Sequence, residues 1–345
     1  MNEMGKFEHG GDLYGMQDVI DFSASLNPLG MPQSVKDALV ANVDSYEAYP
    51  DPLCRDLTGA IAQHENVSTE QVVVTAGATD AFSRIVHVVR PARILLPAPC
   101  FSGYEAATLG QGVSIVRYFL SYDNNFDIDE GFLAKLDESI DLVFLCNPNN
   151  PTGRAIELDY LREVCARAAE CDAIVVLDEC FAPLAGLPSG VPLLKEFKNL
   201  IVVNAFTKTY AMAGLRLGYC ICEAGLAEEL REVGEPWVVS TPAQVAGAAA
   251  LSEAAFVAKS QEAVRERRAA LSGTLRAMKL NVIPSAANFL LFKSERPLYA
   301  SLLNQGIVIR RCGNFDGLSD SWYRVAVRDQ EKNTLLVRAL REVLD

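Results

Sequence analysis

Six short apolar runs alternate with amphipathic helical stretches through the first two-thirds of the chain, and that alternation leaves few folds open. The runs are QVVVTAG (71–77), ARILLPAP (92–99), DLVFLCNP (141–148), AIVVLDE (173–179), NLIVVNAF (199–206) and RLGYCIC (216–222). Each is short, and most are rich in Val, Ile and Leu without polar alternation, the pattern of a strand covered on both faces. Between them, stretches such as ELDYLREVCARAAE (157–170) place apolar residues at three- and four-residue spacing, as one buried helix face requires. Strand and helix in succession predict an α/β fold with a mostly parallel sheet between helices.

After about residue 240 the texture changes. An Ala- and Arg-rich helical region over 242–279 leads into a second strand set, NFLLF (288–292), GIVIR (306–310) and WYRVAV (322–327), and a final helix over 330–344. This predicts a smaller α+β domain. The expected division is an N-terminal arm over 1–46 packing on the small domain, a large domain over 47–240 and a small domain over 241–345. At 345 residues the chain is long enough for a large and a small domain sharing one site.

Composition narrows the partners. A net charge of −13 argues against nucleic acid and gives no reason to propose an anionic membrane. No apolar run approaches the roughly twenty residues of a membrane span. The opening MNEMGKFEHGGD lacks the apolar core of a signal peptide, so a cytoplasmic protein is expected. Nine cysteines are scattered without a CxxC pair, beside three histidines, so zinc spacing is absent and no metal site is expected. Small buried thiols in a reducing compartment account for them.

Ligands of parallel sheets bind beyond the carboxyl ends of the strands, so the polar residues there are informative. The first run ends in Gly77-Ala78-Thr79 and opens a helix, whose free N–H groups suit a phosphate. The third runs into Asn147-Pro148-Asn149-Asn150-Pro151-Thr152-Gly153, a rigid turn able to hold an Asn over a ligand. The fourth ends in Asp178-Glu179, where an unpaired carboxylate is costly and a cationic partner is expected. The fifth ends in Thr207-Lys208, with Arg216 eight residues on. An imine-forming lysine, a carboxylate for a pyridinium nitrogen and an anion cradle with an arginine are what pyridoxal 5′-phosphate (PLP) needs from a protein. Neither G-x-G-x-x-G opening a helix nor G-x-x-x-x-G-K-[ST] occurs to support a nicotinamide enzyme or a kinase.

NPNNPTG, LDE and TK with an arginine eight residues after the lysine occur in this order, and the chain resembles fold-type I PLP enzymes of the class I/II aminotransferase group over nearly its whole length. The resemblance implies the PLP-dependent transferase fold, with a seven-stranded sheet in the large domain, PLP as cofactor, and a homodimer with shared active sites. It implies Lys208 as the lysine that carries the cofactor and later shuttles a proton, and Asp178 as the partner of the ring nitrogen. It assigns Asn150 to the 3′ oxygen of the ring and Phe101, in PAPCFSGY, to stacking. Gly77, Ala78, Thr79, Thr207 and Arg216 fall to the phosphate, and Tyr49, in YPDP, reaches it from the neighbouring subunit. Arg324, in WYRVAVR, matches the arginine that grips a substrate α-carboxylate, for which a planar bidentate donor is suited. Asn27, in DFSASLNPLG, joins the expected substrate pocket. Arg328 shares the face of Arg324 if that strand continues, and otherwise opens the final loop.

Two branches of the group fit, histidinol-phosphate aminotransferases and L-threonine-O-3-phosphate decarboxylases. The lean is to the second, on His9-Gly10-Gly11, on the R-x-C-x-N-F-x-G-L match at 310–318, and on Phe181 where the aminotransferases usually carry a tyrosine. Both imply a phosphorylated amino-acid substrate, with His9 and Arg311 as candidates for its phosphate. Arg311 stands where the decarboxylase pattern usually has an acidic residue. A regulator built on this fold would carry a basic DNA-binding region and could lose Lys208 or Asp178; this chain has no such region and keeps both.

Overall fold

The computed structural model describes residue 5 and residues 8–345. In chain order its strands are β1 (Ile20–Asp21), β2 (Val72–Thr75), β3 (Arg93–Ala98), β4 (Ser114–Phe119), β5 (Leu142–Cys146), β6 (Ile174–Asp178) and β7 (Leu200–Ala205). They continue with β8 (Gly218–Ile221), β9 (Asn281–Val282), β10 (Phe289–Lys293), β11 (Ile307–Val308), β12 (Arg310–Arg311) and β13 (Trp322–Ala326). Seven form one sheet in the order β2-β8-β7-β6-β5-β3-β4. Strand β8 runs antiparallel to both neighbours and the remaining pairings are parallel, so the architecture is α/β with a mostly parallel seven-stranded sheet.

The period of two along each strand explains why both faces are covered. On β6, Val175 and Leu177 enter one apolar cluster and Val176 the other; on β7, Leu200 and Val202 face Ile201 and Val203 in the same way. Helix Leu158–Glu170 buries Leu161, Val164, Cys165 and Ala168 against the first face. Helix Ala78–Val89 buries Ala81, Phe82, Ile85 and Val86 against the second. Those residues recur at three and four positions, the stripe that one helix face presents.

The second strand set is a four-stranded antiparallel sheet, β12-β13-β10-β9. It packs with helices Ala254–Ala277 and Gln330–Leu344, which contribute Leu271, Leu275, Leu336 and Leu340 to a third core. Strand β1 pairs in parallel with β11, and Phe22 beside it is fully buried in that core.

Besides the two-residue strands β1 and β9, which the sequence reading did not contain, three features differ from it. Strand β4, SIVRYF, escapes because Arg117 interrupts it and both of its ends are exposed at the sheet edge. The helical region over 242–279 is two helices, Thr241–Leu251 and Ala254–Ala277, broken at Ser252-Glu253. The run GIVIR divides between two sheets, Ile307–Val308 pairing with β1 and Arg310–Arg311 with β13. The final helix covers Gln330–Leu344, and Asp329 caps it by accepting the Lys332 N–H at 2.9 Å.

Candidate active site

A cavity of about 280 Å³ opens beyond the carboxyl ends of β5, β6 and β7, where a parallel sheet presents its ligand sites. Ala78, Thr79, Thr207 and Arg216 line one end. Asn150, Asp178, Lys208 and Phe101 line the middle. His9, Arg310 and Arg324 line the far wall.

The first end is built as an anion cradle. Gly77 precedes the helix Ala78–Val89 with φ of +86°, and a Cβ there would lie 2.8 Å from Nη2 of Arg216. Glycine is therefore required twice, for its backbone angle and for the close approach. Arg216 is itself left-handed, at φ +54°, and its Nη1 donates to the Ala213 carbonyl at 3.2 Å. A guanidinium thus stands beside a helix N-terminus whose first N–H groups have no acceptor within the helix.

In the middle, Asp178 ends β6 and is 4 % exposed. Its Oδ2 accepts from the Tyr104 hydroxyl at 2.7 Å and its Oδ1 from the Cys180 N–H at 3.0 Å. Burial pushes its pKa up, while the bonds from Cys180 and Tyr104 and the charge of Lys208 pull it down. No cationic side chain bonds it among the described residues, so the partner expected for this carboxylate is left to a ligand. Lys208 follows β7 in the short helix Phe206–Thr209 and is half-buried, opening on the cavity. Its Nζ makes no hydrogen bond to a described residue and stands 5.4 Å from the Phe181 ring centroid. Burial first, then the charge of Arg324, lowers its pKa from 10.5 to about 8. Asn150 accepts a hydrogen bond at Oδ1 from Arg324 Nη1, which leaves its Nδ2 amide for a ligand.

On the far wall, Arg310 of β12 and Arg324 of β13 are directly paired in register, so they share a face. Both are buried. Arg324 Nη2 donates to the Ser23 carbonyl at 2.9 Å, its guanidinium lies 5.0 Å over the Phe289 ring, and its Nε is buried with no partner among the described residues. Burial lowers its pKa to about 10. Arg310 donates to the Glu8 carbonyl at 2.6 Å and to Asn314 Oδ1 at 2.8 Å, which holds the chain around His9 over the cavity. The His9 ring centroid is 5.4 Å from that of Phe101.

Three residues expected at the site, Asn27, Arg311 and Arg328, lie outside the cavity. Asn27 is saturated: Nδ2 donates to the Thr209 carbonyl at 2.7 Å and to Ser260 Oγ at 2.8 Å, and Oδ1 accepts from the Leu29 N–H at 2.9 Å. It anchors the backbone beside Lys208 and does not face the cavity. Arg311 points to the opposite side of β12, 4.6 Å over the Tyr299 ring and 3.4 Å from Glu8; Arg310 takes the cavity position. Strand β13 ends at Ala326, so Arg328 lies in the loop, its N–H donating to Asn333 Oδ1 at 3.0 Å. Tyr49 is 84 % exposed, its ring 5.1 Å from that of Trp237. Two residues of the site went unread: Arg310, whose inward face is fixed only by its register opposite Arg324, and Tyr104, three residues beyond Phe101.

The family model described as aminotransferase class I and II matches residues 17–340. The chain is 36 % identical to the threonine-phosphate decarboxylase of Salmonella typhimurium, over 94 % of this chain and 91 % of that one. The crystal structure of the histidinol-phosphate aminotransferase from Clostridium acetobutylicum superposes with a TM-score of 0.88 at 31 % identity, covering 94 % of this chain and 98 % of that one. That of L-threonine-O-3-phosphate decarboxylase from Porphyromonas gingivalis does so with a TM-score of 0.84 at 26 % identity, over 94 % and 98 %. The chain belongs to the class I and II aminotransferase family. It is a PLP-dependent enzyme, and its residues fit that cofactor: among the described residues, a lysine amine with no hydrogen bond and a buried carboxylate bonded by no cation, with a cradle that a Cβ at Gly77 would fill.

Proposed function

We propose that this protein decarboxylates L-threonine O-3-phosphate, giving the aminopropanol phosphate used for the cobalamin side chain. The observation that carries the reading is the register pairing of Arg310 with Arg324. Two buried guanidiniums on one wall, with His9 beside them, suit a substrate bearing two anionic groups apart from the cofactor phosphate. Arg324 takes the α-carboxylate, and Arg310 with His9 takes the substrate phosphate. The R-x-C-x-N-F-x-G-L segment at 310–318 and the similarity to the Salmonella typhimurium decarboxylase support the choice.

When bound, PLP supplies an aldehyde carbon for the substrate amine and a protonated ring that withdraws electrons from a breaking Cα bond. Lys208 would hold it covalently and, once displaced by the substrate amine, would be the amine placed to hold a proton for Cα. Asp178 would hold the proton on the ring nitrogen. Asn150 Nδ2 would be the donor to the 3′ oxygen, and Phe181, lacking a hydroxyl, would add no second donor there. Phe101 would offer the ring an apolar wall, and Ala78, Thr79, Thr207 and Arg216 would receive the cofactor phosphate on the backbone turn of Gly77. The contribution of Arg324 would be to fix the orientation of the substrate carboxylate, on which the choice of the bond broken at Cα depends.

Val40, Val43, Tyr49, Leu53 and Trp237 are all large, apolar and exposed, from 48 % to 84 %. They suit a homodimer interface through which Tyr49 reaches the partner's cofactor phosphate. The domain division at about residues 46 and 240 belongs to the same reading. No helix among the described residues is long and apolar enough to cross a membrane, and we place the enzyme in the cytoplasm.

The second reading is a histidinol-phosphate aminotransferase, favoured by the superposition on the Clostridium acetobutylicum enzyme. Single-turnover spectroscopy on the holoenzyme with L-threonine O-3-phosphate separates the two. Release of CO₂ and aminopropanol phosphate without conversion of the cofactor to its amine form is the expected result. Accumulation of the amine form, discharged by 2-oxoglutarate, overturns the decarboxylase and leads to histidinol phosphate as the next substrate.

A further inference from the structure

The mechanism leaves one buried, ordered phenol without a role. Tyr104 is fully buried at the start of a short helical turn, Gly103–Ala106, and its hydroxyl donates to Asp178 Oδ2 at 2.7 Å. Its ring is held on three sides. Phe144 stacks on it at 4.9 Å and 14°, and Phe82 and Phe101 meet it edge-on at 5.0 and 5.6 Å. A side chain so enclosed has one position for its hydroxyl. Phe101, the wall expected to cover the cofactor ring, leans on that same phenol.

We infer that Tyr104 is a positioning residue for the cofactor: its hydroxyl fixes the Asp178 carboxylate and keeps it ionised against the ring nitrogen. This rests on the reading of Asp178 as the partner of that nitrogen. A carboxylate oxygen accepts from more than one direction. With Oδ2 taken by Tyr104 and Oδ1 by the Cys180 N–H, both oxygens of the carboxylate are tethered where it lines the cavity, which opposes rotation about the Cβ–Cγ bond.

The electrostatics point the same way. Burial opposes the ionised form of Asp178, and hydrogen bonds to the carboxylate are among the interactions that oppose burial. The other titratable groups around it are Cys146, Cys180, Glu179 and Lys208. Both thiols are held neutral by burial, and the charge of Lys208 acts with the hydrogen bonds to favour the ionised carboxylate. Tyr104 itself is buried and kept protonated, so its donor persists at any working pH. Without it, Asp178 takes up a proton more readily and the ring nitrogen gives one up more readily.

The test uses holoenzyme loaded with cofactor labelled with ¹⁵N in the ring, whose chemical shift reports the nitrogen's protonation directly. Tyr104→Phe keeps the ring and its three aromatic contacts and removes only the oxygen. The expected result is loss of the ring proton about 1 to 2 pH units earlier than in the wild type, the displacement that one lost charge-assisted hydrogen bond gives. Cofactor release on dialysis should quicken by roughly tenfold for the same reason. Asp178→Asn serves as the comparison and should lose the ring proton across the whole range. A Tyr104→Phe titration that superposes on the wild type while Asp178→Asn is deprotonated overturns the inference and leaves the Asp178 reading standing. An Asp178→Asn enzyme that keeps the ring proton overturns both.

Discussion

Replacing Lys208 with methionine should make the cofactor-free protein more stable at neutral pH, by an amount that shrinks as the pH rises. The reason is the depressed pKa of the buried amine, about 8 against an ordinary 10.5. Below about pH 8 the lysine is an ammonium in both folded and unfolded chains, and the folded one bears the full cost of burial beside Arg324. Between about pH 8 and 10.5 the folded lysine sheds its proton while the unfolded one keeps it, so wild-type stability rises with pH through that window. Above it both are neutral and the cost is gone. A displacement of about 2.5 decades corresponds to about 3 kcal/mol, and water in the open cavity reduces this to about 2 kcal/mol. Methionine fills similar volume without a charge. Urea unfolding of the two cofactor-free proteins at pH 7 and at pH 10 measures the difference. The expected advantage of Lys208→Met is about 2 kcal/mol at pH 7 and under about 1 kcal/mol at pH 10. A difference that does not change with pH, or a wild type the more stable at pH 7, would refute the argument. The same displacement has a chemical use: about one lysine in ten is a free amine at pH 7, against about one in three thousand for an unperturbed side chain.

Further expectations follow from the far wall and the loops around it. Arg310→Ala should raise KM for L-threonine O-3-phosphate at least tenfold, about 1.4 kcal/mol or more, whereas Arg311→Ala should change it little; steady-state kinetics on the pair decides between them. Arg117 of β4 joins Glu105 at 2.6 Å and Asp316 at 2.5 Å, tying the loop that carries Phe315 to the edge of the main sheet, so Arg117→Ala should raise KM several-fold, about 1 kcal/mol, with kcat nearly unchanged and less sensitivity to salt. Mixing Lys208→Ala subunits with subunits in which Tyr49 is replaced by Ala should recover activity in hybrids if sites are shared across a dimer; no recovery in a mixture shown to exchange subunits refutes the sharing.

The strands that carry the site were legible because they are buried on both faces and so read as apolar runs. Strand β6, Ile174–Asp178, shows why its end was legible too: four apolar residues followed by a carboxylate have no solvated explanation. Strand β4 was illegible for the opposite reason, since an edge strand with Arg117 in an ion pair and Phe119 60 % exposed carries no such run. The choice of Arg311 over Arg310 failed on a period of two. Adjacent residues on a strand face opposite ways, and only the register with β13, where Arg310 meets Arg324, fixes which faces inward. Asn27 and Tyr104 show a different limit. Each belongs to a motif whose members look alike in sequence, and hydrogen bonds to Thr209 and Ser260, or to Asp178, separate anchor from ligand residue.

Charge shows most clearly why composition could not reveal this site. The chain carries a net charge of −13, yet Lys208, Arg216, Arg310 and Arg324 line one cavity, with Asp178 the single carboxylate among its described lining residues. Buried cations near one another disfavour the folded state, and burial lowers the pKa of Lys208, Arg310 and Arg324 alike. Anions that enter relieve that strain, so binding and folding are linked, by about 2.7 kcal/mol for a ligand present at a hundred times its dissociation constant. Surface acidity repels anions at long range and is screened within about 10 Å at ordinary ionic strength, whereas the cavity acts at contact, where guanidinium geometry selects carboxylate and phosphate. On the proposed reading, the cations that make the ligand-free cavity costly are therefore what distinguishes a doubly anionic amino acid from a neutral one of the same size.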